Sequence, residues 1–124
     1  MYKDIAFIVS GRLSEIFDKH NYPVDIQLVN NYKCIRVEAA DTFIWIRLLE
    51  LANRVYVDIN NIELDPSHRR EGILNEICES LKSIAGIKRI VISSVCSVEM
   101  HNFCKKHNFE RNDSIGGYTV FNSL

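Results

Sequence analysis

The most constraining feature of the chain is a break in strand parity near its middle. Val55, Val57 and Ile59 occupy alternate positions, but the next apolar pair, Ile62 and Leu64, falls on the opposite parity. In a strand the side-chain period is two, so a slip of one residue either turns the inward face outward or requires one extra residue in the ladder. Two readings of Asn60-Asn61 follow: a β-bulge, which bends a strand and interrupts pairing beside ligand sites, or a turn after which a short strand restarts. Both place irregular backbone at the end of a hydrophobic strand.

The flanking segments have clearer periods. Ile5, Ile8, Val9, Leu13, Ile16 and Phe17 follow helical spacing over about residues 4–20, and Asn21 with Pro23 ends the run. Val24, Ile26 and Leu28 alternate with polar neighbours; Asn30-Asn31 supplies turn chemistry, and Cys34 to Val37 resumes extended character, which reads as a hairpin. Thr42 to Leu49, with Ile44-Trp45-Ile46 at its centre, is a third strand. After Pro66 the apolar stripe Ile73, Leu74, Ile77, Cys78, Leu81 and Ile84 predicts a helix stopped by Gly86, its first turn holding Arg69, Arg70 and Gly72. Ile87 to Val95 is a near-continuous apolar run, expected of a central strand covered on both faces. Ser97 and Glu99 suit the start of a helix carrying Val98, Met100, Phe103, Cys104 and His107. Phe109 to Asn112 and Tyr118 to Phe121 read as two short strands around a turn at residues 113–117. Alternating strands and helices in the second half imply a mixed sheet with helices on its faces.

Composition narrows the function classes. The 124 residues suit one domain without a linker, and 47% apolar with 25% charged residues is the mix of an ordinary globular protein. A net charge of −1 gives no extended cationic field, so nucleic acid and anionic membranes are not expected partners, and Arg69, Arg70, Lys105 and Lys106 do not by themselves make a basic face. No apolar run approaches the ~20 residues needed to span a bilayer, and nothing at the N-terminus reads as a secretory leader, so a cytoplasmic protein is expected. Cys34, Cys78, Cys96 and Cys104 are widely spaced in apolar segments and read as reduced structural thiols. His101, Cys104 and His107 recur at three-residue steps, but position i+6 has drifted round the helix and no fourth ligand is apparent, so no metal is expected.

Residues 59–81, INNIELDPSHRREGILNEICESL, carry the chemistry. The first N–H groups of a helix lack internal partners and form the positive end of its dipole, and Gly72 brings no Cβ to obstruct a ligand. Arg69 and Arg70 add charge for a phosphate, with His68 beside them. The plainer alternative is a solvated basic helix start.

Arg69-Arg70-Glu71-Gly72-Ile73-Leu74 resembles the Q/R-x-x-G-x-G/A coenzyme A motif of the GNAT acyltransferase superfamily, with Leu74 where the family has Gly or Ala. Ile62-Glu63-Leu64-Asp65-Pro66 is similar to the family's strand end, and Ser97 to Phe109 to its N-x-x-A-x-x-F-Y-x-x-x-G-F stretch. Phe103 and Phe109 agree; Ser97, Met100, Cys104 and Asn108 replace Asn, Ala, Tyr and Gly, the last mildly because Asn tolerates a left-handed helix end.

The resemblance covers roughly residues 54–122. It implies a single GNAT-like domain over residues 1–124, an α/β (α+β) fold: a mixed, mostly antiparallel sheet flanked by helices, its fourth and fifth strands splayed. It also implies an acetyl-coenzyme A-dependent N-acyltransferase, with the coenzyme as co-substrate and an amine of a small molecule or protein as acceptor. Leu64, by its backbone, and Arg69, Arg70, Gly72, Ile73 and Leu74 would hold the coenzyme. A strand carboxylate near the bulge, Glu63 or Asp58, would serve as base, the family's usual glutamate position being Asn60. Cys104 or Tyr118 would protonate the departing thiolate. The departures at Asn60, Leu74 and Cys104 together point to the alternative, a catalytically inactive GNAT-fold binding or assembly module. Edge strands and Trp45 offer surfaces for a homodimer.

Overall fold

The computed structural model describes residues 1–93, 98–112 and 117–121, with Arg70, Asn112 and 117–121 described as backbone. Helix α1 (Tyr2–Lys19) is followed by the antiparallel meander β1 (Asp25–Val29), β2 (Cys34–Ala39), β3 (Thr42–Leu51) and β4 (Arg54–Glu63). A 3₁₀ helix (Pro66–Glu71) leads into α2 (Ile73–Lys82), then β5 (Ile87–Ile92), α3 (Val98–Lys106), β6 (Glu110–Asn112) and β7 (Gly117–Phe121). The seven strands form one sheet in the order β1-β2-β3-β4-β5-β7-β6, antiparallel except for β4 beside β5.

One face of this sheet carries the core. Ile35, Val37, Ile44, Ile46, Val55, Val57, Ile59 and Ile90 are buried there, against Val9, Leu13 and Phe17 of α1 and Ile73, Ile77 and Leu81 of α2. The alternate residues of β3 lie on the other face, where Phe43 and Trp45 stack with parallel planes and remain half-buried. The expectation that β5 is covered on both faces holds only in part. It is an internal strand between β4 and β7, but Lys88, Arg89 and Val91 are only half-buried. Cys34, Cys78 and Cys104 are free and buried; Cys96 lies outside the described residues.

The parity slip is a bulge. Ile59 stands opposite Ile46 and Asn61 opposite Trp45, leaving Asn60 as the extra residue of β4. Among the described residues, pairing with β5 ends at the same place: the last register pair is Ile59↔Ile92, followed by the Ser93 N–H donating to the Ile59 carbonyl at 3.2 Å. Beyond it β4 continues to Glu63 with β3 as its recorded partner. Among the described residues the bulge and the end of β4–β5 pairing thus coincide.

Candidate functional site

A crevice of about 880 Å³ opens where β4 leaves β5. Asn61 to Leu64, at the end of β4 and just past it, form one wall, Arg69 and Gly72 to Asn75 a second, and Glu99, Met100, Phe103 and Lys106 of α3 with His107 just after it a third. Its size falls in the range of roughly 300–1,000 Å³ usual for small-molecule and cofactor sites.

The first two walls are fixed by polar contacts on the turn joining them. The Asp65 N–H donates to the Tyr22 hydroxyl at 3.0 Å and to Thr42 Oγ1 at 3.3 Å, and those two oxygens bond each other inside the protein. Asp65 caps the 3₁₀ helix by accepting from the Ser67 N–H at 2.9 Å and the Ser67 hydroxyl at 2.8 Å. These bonds, the backbone one first, hold its carboxyl below the usual carboxylate range. Arg69 Nε donates to the Leu64 carbonyl at 2.9 Å, folding the guanidinium over the end of β4. Leu64, expected as a backbone contact, thus has its carbonyl already engaged from within the chain.

Gly72 changes the reading of the helix start. The sequence suggested one helix with two arginines and a glycine in its first turn; instead Arg69 and Arg70 lie in a separate 3₁₀ helix that ends at Glu71, and Gly72 joins it to α2 with φ +76°. A left-handed residue cannot continue either helix, so the chain breaks there, at least cost with glycine. A Cβ built on Gly72 would meet nothing within 4 Å, so that position looks into open space. The first intrahelical donor is the Glu76 N–H, bonded to the Gly72 carbonyl at 3.0 Å. The N–H groups of Ile73, Leu74 and Asn75 precede it and, like the first donors of any α-helix, have no intrahelical partner. Ile73 is buried in the core, whereas Leu74 packs half against it and lines the crevice without filling it.

The catalytic candidates are dispersed. Glu63 is exposed and lines the crevice. Asp58 is 8% exposed and fully engaged: Oδ2 accepts from Arg47 Nε at 3.2 Å and Nη2 at 2.5 Å, and Oδ1 accepts from the Ser93 hydroxyl at 2.7 Å. Ser93 Oγ in turn accepts from Asn60 Nδ2 at 2.9 Å. This chain ties the bulge to the last paired residues of β5, and Ser93 and Arg47 had no sequence signal beyond their residue types. Cys104 is 0% exposed, and burial pushes its thiol up to about 11; its helix neighbours Phe103 and His107, with rings 4.4 Å apart, face the crevice instead. Tyr118 lies on β7 opposite Ile92, and its side chain, like that of Arg70, lies outside the described residues, as does Ser97. His68 stacks on Tyr22 at 4.0 Å. Asn108 takes φ +62° after α3, the left-handed helix end for which Asn is suited.

Among the described residues no three His, Cys, Asp or Glu side chains come together as a metal site. No described helix is long and apolar enough to cross a membrane.

No protein-family description and no curated protein sequence matches the chain. Solved structures do. One is a mutant of the toxin AtaT bound to the C-terminus of the antitoxin AtaR and to acetyl-coenzyme A; the match has a TM-score of 0.50 and 12% identity over 72% of this chain and 67% of that one. Another is Ard1 from Thermoplasma volcanium, at TM-score 0.45 and 14% identity over 88% of this chain and 75% of that one. At such identities the likeness concerns fold alone. The chain has a GNAT-like fold: a mixed, mostly antiparallel sheet flanked by helices and parted between its fourth and fifth strands.

Proposed function

We propose that the chain is an acetyl-coenzyme A-dependent N-acyltransferase that transfers an acetyl group to an amine of a small molecule or protein. The observation that carries this reading is the open crevice in which Gly72, in a left-handed conformation, and the N-terminus of α2 lie beside the length of β4 that runs past its last pair with β5.

The residues present suit the coenzyme. The N–H groups of Ile73, Leu74 and Asn75 would receive the diphosphate, and Gly72 leaves room for it. Arg69 spends Nε on the Leu64 carbonyl and keeps the other guanidinium donors for phosphate. Asn61 to Leu64 would lie along the pantetheine arm as an adjacent strand, with the backbone N–H freed at the bulge placed to polarise the thioester carbonyl. Bound acetyl-coenzyme A supplies the activated acyl group. Glu63, exposed on the crevice wall, would take the proton from the acceptor ammonium, directly or through one water. Tyr118, on the strand next to the splay, would protonate the thiolate, since Cys104 faces the core.

A second reading, a GNAT-fold binding or assembly module without catalysis, draws on Asn60. Its amide is bonded to Ser93 at the bulge and has no basic function there.

A thermal melt with and without acetyl-coenzyme A tests the proposal. At a hundredfold excess over the dissociation constant the coenzyme is expected to add about 2.7 kcal/mol, a rise in Tm of roughly 10 °C for a chain of this size. An unchanged Tm overturns the proposal. A shift without acetyl transfer to any of a panel of primary amines favours the module.

A further inference from the structure

Two carboxylates flank the proposed diphosphate cradle. Glu71 ends the 3₁₀ helix immediately before Gly72, and Glu76 stands in the first turn of α2 with its N–H on the Gly72 carbonyl. An anion docking on the donors of Ile73, Leu74 and Asn75 would meet both charges at short range, where little screening is available. By charge alone this helix start is a poor diphosphate site.

The end of α1 alters that balance. His20, just past the last turn of α1 and with its side chain 15% exposed, lies between the two carboxylates. Its Nδ1 is 2.9 Å from Glu71 Oε1, and its Nε2 bonds Glu76 Oε2. Lys19 Nζ bonds the other oxygen of Glu76. On its far side Glu71 has His68 Nδ1 at 2.6 Å from Oε2, outside hydrogen-bond alignment, with the His68 ring stacked on Tyr22. Both ring nitrogens of His20 face carboxylate oxygens, and an imidazole donates from both nitrogens only as the imidazolium. The bonds from Lys19, and next from His20, hold the Glu76 carboxyl below the usual carboxylate range.

We infer that His20, assisted by Lys19, is the positioning residue that makes the Gly72 cradle acceptable to a diphosphate, by drawing Glu71 and Glu76 back against the end of α1 and cancelling their charge. This rests on the coenzyme-binding reading above and extends it to a residue some fifty positions upstream of the motif that does not line the crevice.

The test is a set of coenzyme A titrations by calorimetry on the full chain, each variant first checked for an unperturbed ligand-free melt. His20→Ala is expected to weaken binding about tenfold, because Glu71 and Glu76, left with only His68 and Lys19 beside them, are no longer drawn back against α1 and repel the ligand. His20→Arg, a permanent cation with a planar fork of donors, is expected to stay within about threefold of the native chain. The triple variant His20→Ala/Glu71→Gln/Glu76→Gln is expected to recover most of the loss, since it removes the repelling charges without restoring the staple. Glu71→Gln/Glu76→Gln on the native His20 background is expected to bind at least as tightly as the native chain, which keeps the question answerable if His20→Ala does not fold. If His20→Ala binds like the native chain, the inference is overturned. It is equally overturned if the triple variant stays as weak as His20→Ala, because the histidine would then act only as a mechanical link. A native chain that takes up no coenzyme A refutes the underlying functional reading instead, an outcome distinct from native binding that His20 does not influence.

Discussion

In Gly72→Asp the stabilisation by acetyl-coenzyme A is expected to vanish, with affinity falling a hundredfold or more, while the ligand-free protein loses only about 1 kcal/mol. The two effects separate because the position has two properties. The left-handed φ of +76° penalises any side chain modestly, and Asp is among those that tolerate it best. The open space at the Cβ position means that the new carboxylate meets no protein atom and projects where the diphosphate would lie. Charge repulsion and steric exclusion then act together on the ligand and hardly at all on the fold. Gly72→Ala, with the same backbone strain and no charge, is expected to fall between. Melting curves and calorimetric titration of the three proteins measure both quantities. Native-like coenzyme binding by Gly72→Asp would place the anion site elsewhere.

Phe17→Ala is expected to cost about 3–5 kcal/mol, a large part of the roughly 5–15 kcal/mol that stabilises a domain of this size. Phe17 is completely buried near the C-terminal end of α1 and packs edge-to-face on Tyr22 with centroids 5.0 Å apart. Tyr22 belongs to the hydroxyl cluster that fixes the Asp65 N–H, so the cavity would open beside the support of the site as well as in the core. Urea denaturation gives the loss as a lower midpoint at an unchanged slope. A loss below about 1 kcal/mol would mean that the surroundings collapse into the space, contrary to the close packing described.

The parts of the fold legible from sequence are those written in local periodicity. The α1 stripe, the meander, the α2 stripe and the two short final strands needed only spacing and turn chemistry. The parity change between Ile59 and Ile62 announced the bulge, although a turn and restart fitted the same letters until the partner strand showed Asn60 as the extra residue. The break at Gly72 was hidden because the apolar stripe begins at Ile73, and nothing in the spacing distinguishes a continuous helix from a 3₁₀ turn followed by a left-handed glycine.

The supports of the candidate site were not legible, for a physical reason: each joins residues far apart in the chain. Tyr22 and Asp65, in two separate connections, meet Thr42 of β3, Asp58 reaches Ser93 across the parallel pair, and His20 reaches Glu71 and Glu76 from the end of another helix. None of these pairs has a sequence spacing that forecasts it. Cys104 illustrates the converse. Its place in the motif suggested an acid, but a residue on the apolar stripe of α3 goes where the stripe goes, into the core.

The most direct measurement is a map of backbone amide shifts in ¹⁵N-labelled protein titrated with coenzyme A. The expected result is that the largest changes fall on the amides of Gly72, Ile73, Leu74 and Asn75, with a second group along Asn61 to Leu64. Saturable binding that leaves those amides in place and shifts others, or no shift at millimolar coenzyme, would contradict the assignment of this crevice to acyl transfer.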